Sequence, residues 1–358
     1  MTSIALLVLF MFPAFTVSGQ ITRNILIAIC LICCHPKVSK KLCEPAILLF
    51  TWFIWAVFCS YQSDNFQMSL FGYHKRFEGI NTWILALAFG WLFWRTSSLT
   101  MLFSNLLLII FICLSMMIFK PDIYGQIMFG HIAIAAFVTV ACSMLMAGRP
   151  AFILLTLPFI YLTQNRSIIL GATLACVCYF VLNNKAVTKK HFMIGSAFLI
   201  LVTLLAWPKL KGIKPFEMGN GMRTRTAVKA IEFATLKPLT GYGLDTQSTL
   251  FGTDDGEFKI IERPDSSIIK IPYVIDRCHN FFLDILVQTG VIGLILWLFI
   301  LTRIVYRTFL HPSEVNRACL YGVFSFIGFG LFNPQGCPAL FLACVCIIGI
   351  ENKNHESN

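Results

Sequence analysis

The chain has 358 residues, of which 57% are hydrophobic and only 13% charged, against roughly half and a quarter in soluble domains. Apolar runs of that density exclude an ordinary soluble core and point to a protein that crosses a membrane repeatedly. The formal charge of +11, from 28 Lys and Arg against 17 Asp and Glu, is read as a membrane-orientation signal, and no nucleic-acid partner is expected.

Taken in order, apolar runs between charged or Pro/Gly breaks give about twelve candidate spans, at 2–18, 24–35, 45–60, 80–94, 100–118, 127–146, 149–163, 167–183, 191–207, 280–302, 318–331 and 337–350. The first eighteen residues carry no Lys or Arg ahead of their apolar stretch, so they read as a span and not as a cleaved signal. Placing the amino terminus inside puts twelve cations in the short cytoplasmic connections: Lys37, Lys40, Lys41, Arg95, Arg149, Lys185, Lys189, Lys190, Arg303, Arg307, Arg317 and Lys353. The short external connections then hold five, namely Arg23, Lys75, Arg76, Lys120 and Arg166. Twelve against five is the positive-inside bias, and it makes the long polar segment 208–278 an external loop between the ninth and tenth helices. The expected fold class is an all-α polytopic membrane protein. Its expected organisation is a bundle over 1–207, the loop over 208–278 and a final unit, 279–358, of three helices and a short tail.

Most of the 14 cysteines lie inside apolar runs, where a thiol behaves as a small hydrophobe. Cys33, Cys34 and His35 lack the further ligands and spacing of a zinc site. Cys278 and Cys337 differ in falling at expected external ends, where a disulfide would depend on their geometry. The acidic patch Asp254, Asp255 and Glu257 lacks the ligand spacing of a calcium loop and reads as solvated surface. No metal or cofactor is expected.

Within the loop, Ala227, Val228, Ile231, Ala234 and Leu236 follow helical spacing until Pro238 stops the pattern. Gly241-Tyr242-Gly243 then reads as a turn, since no strand precedes it and no P-loop lysine follows. Arg223 and Arg225 fall in the first turn of this amphipathic helix, where free backbone N–H groups and guanidinium forks suit a phosphate; a loop arginine taken alone is more often a solvated charge. At the far end, CHNFFLDILVQTGVIG places His279 and Asn280 where the tenth span emerges. A helix N-terminus disfavours the cationic form of a histidine, so His279 suits a proton acceptor as well as it suits an interfacial cap. Asp284 and Gln288, one turn apart, should face the bundle interior and pair there with other helices. His74, Lys75 and Arg76, with Arg166 and His131, add polar groups on the same external face. Each singly could be an interfacial side chain, and their convergence is the informative part.

This pattern resembles the O-antigen ligase and O-antigen polymerase superfamily of bacterial envelope glycosyltransferases. The resemblance rests on Arg223 followed by an amphipathic helix into KPLTGYG, a variable stretch, and then HNFFLDILVQTGVIG opening the next span. TQNRSIILG around Arg166 is similar to the family's Arg-bearing external turn, and FGYHKRFEG and FGHIAIAAF resemble weaker family features. Ala227 replaces the aromatic usual after the arginine. Arg223 and Arg225 compete for one role, and the spacing to Pro238 and Gly241 favours Arg223.

What the resemblance implies is a GT-C-like membrane fold in the bacterial inner membrane with its site facing the periplasm. The donor would be an undecaprenyl-diphosphate-linked glycan, the acceptor a lipid A core sugar, and no metal ion would be needed. His279 would take the acceptor proton, and Arg166 and Arg223 would hold the diphosphate. Arg225, Arg76, Asn280, His131, Gly241 and Gly243 would line the substrate site. Related readings are a polymerase joining lipid-linked repeat units and a protein O-oligosaccharyltransferase. From a different class, a polysaccharide or lipid transporter also fits twelve spans, but candidate groups gathered on one face and scarce midplane charges favour the transferase.

Overall fold

A computed structural model describes residues 43–72, 79–96, 131–163, 167–183, 226–251, 253–262, 268–274, 277–331 and 336–350, with parts of 103–114. The expected spans at 2–18, 24–35 and 191–207 lie outside the described residues. The others coincide with helices to within a few residues, except that 100–118 is described only in part and the helix at 280–302 runs further at its end.

In chain order the helices are α1 (Glu44–Tyr61), α2 (Phe66–Phe71), α3 (Ile80–Thr96), α4 (His131–Leu145), a 3₁₀ turn (Pro150–Leu155) leading into α5 (Thr156–Thr163), and α6 (Ser167–Asn183). The loop helix α7 covers 226–236 and α8 is Gln247–Phe251. After the strands β1 (Thr253–Glu262) and β2 (Ile268–Val274) come α9 (Phe281–Leu310), α10 (Glu314–Gly330) and α11 (Gly336–Ile348). Local signals explain the starts. Pro45 occupies the first turn of α1, where its missing N–H costs nothing, and Ser313 and Asn280 cap α10 and α9 through their side-chain oxygens.

The helix α4 is buried on every side from Ala135 through Met146, so it is the axis of the bundle. Packed around it are α6, α10 and α11, while α3 lies on α11 and α1 on α9. Small residues permit the closest of these approaches: a Cβ on Gly328 of α10 would stand 3.0 Å from the Cα of Gly171 in α6. Among the described helices, α1 and α9 are long and apolar enough to cross a membrane, and α3, α4, α6 and α11 contribute shorter apolar segments.

Two features differ from the sequence expectation. The all-α class holds for the bundle, but the loop contains a two-stranded antiparallel sheet, β1–β2, in which Ile260 faces Lys270 and Ile261 faces Ile269. Its signal, KIIE against IIKIPYV, is short and does not stand out in a chain where apolar runs mean helix. The helix α9 also runs to Leu310, eight residues past the expected end at 302. Arg303 and Arg307 can sit inside it because both reach Glu44 of α1, at 3.5 and 3.0 Å.

Candidate functional site

The helix α9 is broken at Gly290, whose φ of 68° and ψ of −172° belong to glycine alone. A break strands carbonyls, and here each finds an outside donor. Tyr242 N–H donates to the Val287 carbonyl (2.9 Å), Gly243 N–H to Gln288 (2.8 Å), and the Trp55 indole to Thr289 (2.9 Å). Beyond the break, Val291 N–H donates to the Pro238 carbonyl at 2.8 Å. The KPLTGYG turn is therefore spliced into the helix as a substitute for its own missing bonds.

The expected amphipathic helix is present as α7, followed by a turn over 237–240 with Gly241 and Gly243 at φ 63° and 95°. Its small residues Thr226, Ala230 and Ala234 are buried, whereas Val228, Ile231 and Leu236 point outward. The amides of Gly241 and Gly243 are bonded to Lys237 and Gln288, so these glycines shape the turn and its docking onto α9.

Across from this splice, His279 is half-buried immediately before α9, with its backbone in the left-handed region at φ 54°. Asn280 caps the helix, its oxygen accepting from Phe282 N–H (3.1 Å) and Leu283 N–H (3.2 Å), while its amide nitrogen donates to the Leu331 carbonyl (3.3 Å). On the other flank, Cys278 N–H donates to Asp284 Oδ1 at 3.0 Å.

Asp284 and Gln288 face inward, as the spacing predicts, but their described partners lie in the loop and not on other helices. Gln247 of α8 donates to Asp284 Oδ1 at 3.3 Å and accepts from Gln288 Nε2 at 3.0 Å. Beside them Arg277 forms a 2.8 Å ion pair with Asp245, the two side chains being only 7% and 1% exposed. Arg277, Asp284 and Gln288 line a cavity shared with the indoles of Trp52, Trp83 and Trp297. Ring centroids 4.6 Å apart for Trp52 and Trp83, and 5.4 Å for Trp52 and Trp297, make that side a continuous aromatic wall.

Cys278 is a free, buried thiol. Burial pushes its ionisation well up, and the Asp284 carboxylate adds to the effect, so it remains a protonated thiol and is no nucleophile at neutral pH. Among the described residues no three His, Cys, Asp or Glu side chains cluster in the manner of a metal site.

Of the residues singled out in the sequence, the structure brings Gly241, Gly243, His279 and Asn280 to one end of α9. Arg76, Arg166, Arg223 and Arg225 lie outside the described residues, as does the side chain of His131, whose backbone opens α4. Sequence reasoning missed Arg277, Asp245 and Gln247. Their signal was faint: charged or amide residues directly beside the two motifs, GYGLDTQ and DRCHN, with nothing to say that they meet.

No curated protein matches the chain. A family model described as O-antigen ligase matches residues 151–298, a stretch that holds the loop, the splice and the His279 turn, together with Arg166, Arg223 and Arg225. The match over 151–298 supports a place for this segment in the O-antigen ligase and polymerase superfamily, and with it a glycosyltransferase-like activity and lipid-linked glycans as the general class of partner.

Proposed function

We propose that this protein is an O-antigen ligase that moves a glycan from undecaprenyl diphosphate to a hydroxyl of a lipid A core sugar at the periplasmic face of the inner membrane. The observation that carries this reading is the His279 turn. A half-buried histidine stands at the mouth of a broken apolar helix, beside the loop that the family match includes.

In the proposed step the acceptor oxygen attacks the anomeric carbon while the bond from that carbon to the diphosphate oxygen breaks. His279 takes the acceptor's proton, and undecaprenyl diphosphate leaves with the bonding electron pair. Arg166 and Arg223 neutralise the charge that grows on the leaving group, assisted by Arg225 and Arg76. A single displacement inverts the anomeric centre.

His279→Ala and Arg223→Ala should each abolish transfer while leaving protein level and membrane insertion unchanged, with losses on the order of 100-fold or more for the arginine. Gel analysis of lipopolysaccharide from cells lacking the gene checks the acceptor. Core without attached chain supports the ligase, a single attached repeat identifies a polymerase instead, and unchanged banding removes both readings. Normal transfer in both point mutants would defeat the transferase reading itself.

A further inference from the structure

The backbone of His279 is in a region that non-glycine residues seldom occupy, at a cost of about 1–2 kcal/mol, and such a residue persists only where its surroundings over-determine it. The residues on either side of it are fixed by side-chain hydrogen bonds at the start of α9. After it, Asn280 caps Phe282 and Leu283. Before it, the Cys278 amide is held by Asp284 Oδ1.

Capping accounts for Asn280 without further appeal to function. Asp284 is different, because a buried carboxylate is costly and an apolar residue in the same first turn would leave the helix intact. Its oxygen reaches backwards past the helix start to the residue before His279, and the same oxygen is fixed from the loop by Gln247 Nε2. Gln247 is itself oriented by Gln288, whose backbone carbonyl receives Gly243. Two residues from Gln247, Asp245 anchors Arg277, which is two residues from His279. The middle of the loop, at Gln247, and its far end, at Cys278, thus converge on one carboxylate, and that carboxylate sets the path of the chain into His279.

We propose that Asp284 is a positioning residue for His279, transmitting the docking of the GYGLDTQ segment to the histidine turn so that the imidazole is aimed only when the loop is seated. This rests on the transferase reading above. It assigns Asp284 no contact with substrate: the residue acts through the Cys278 peptide.

The test uses the full-length protein in detergent, with lipid-linked glycan extracted from cells lacking the gene as donor and acceptor lipid from the same cells. Asp284→Ala should lower kcat by about 100-fold, the effect of a displacement near 1 Å at a reacting group, while KM for the lipid-linked glycan changes by less than about threefold. Asp284→Asn keeps an acceptor oxygen for the Cys278 amide and should restore kcat to within about fivefold of the parent. Hydrogen exchange in peptides covering Cys278 should quicken in Asp284→Ala and not in Asp284→Asn. A residue that merely stabilised the helix would move the unfolding temperature without this split between kcat and KM or this rescue.

Should Asp284→Ala fail to fold, Gln247→Ala decides, since it removes one of the carboxylate's donors and should lower kcat by about three- to tenfold with KM unchanged. Full kcat in the folded Asp284→Ala protein, or in Gln247→Ala where that variant decides, overturns the proposal. So does an Asp284→Asn protein as inactive as Asp284→Ala with the Cys278 amide still protected. His279→Ala run in parallel separates the two claims: if it retains transfer the transferase reading falls, and if it is inactive while Asp284→Ala is not, only the positioning role falls.

Discussion

The two ends of α9 carry the same chemistry in opposite settings. At the His279 end, Arg277 and Asp245 form a 2.8 Å pair with 7% and 1% of their side chains exposed. At the far end, Glu44 receives Arg307 at 3.0 Å and Arg303 at 3.5 Å, with side-chain exposures of 21% to 42%. Water can replace either partner of the exposed set, so its loss is cheap. It cannot do so for the buried pair, in which each charge offsets the burial of the other. One end of the helix is therefore adjustable, and the other is fixed by what surrounds the histidine.

That difference should appear in melting experiments on the purified protein. Arg277→Ala takes the paired cation from the buried Asp245 carboxylate and should cost about 3–5 kcal/mol, read as the largest drop in unfolding temperature. Replacing both residues together, as Arg277→Met with Asp245→Asn, should recover most of that loss, because neither charge remains and asparagine tolerates the left-handed backbone of position 245, at φ 56°. A double variant as unstable as the single would show that the pair contributes more than mutual neutralisation. Gly290→Ala forces a side chain into a conformation it avoids and drives its Cβ against the Leu239 carbonyl; a loss of about 1–3 kcal/mol is expected, with weakened docking of the loop seen as faster proteolysis between α7 and β1. Glu44→Gln, at the adjustable end, should shift stability by no more than about 1 kcal/mol.

Much of this region was legible beforehand for local reasons. His279 and Asn280 precede an apolar run, so a helix start with a capping asparagine follows from neighbouring residues alone. The KPLTGYG turn is written in its Pro and Gly residues, and the amphipathic helix before it in a period of hydrophobic spacing. The β1–β2 hairpin was not legible, because half of β1 is charged and neither strand keeps a strict two-residue alternation. Nor was the break in α9. Glycine is common in membrane helices, so Gly290 and Gly293 look alike in the sequence, yet only Gly290 has the φ that interrupts the helix.

What the sequence by itself determined is the membrane character of the chain, the places where helices begin and turns occur, and the motifs that mark the His279 end of α9 as the candidate site. Each depends on residues within a few positions of one another. Tertiary structure alone decided that Asp245 meets Arg277 across 32 positions, that Gln247 meets Asp284 across 37, and that loop amides satisfy the carbonyls stranded at Gly290. A buried charge or an open carbonyl requires a partner but does not name one. The partner is whichever group the fold carries to within hydrogen-bonding distance.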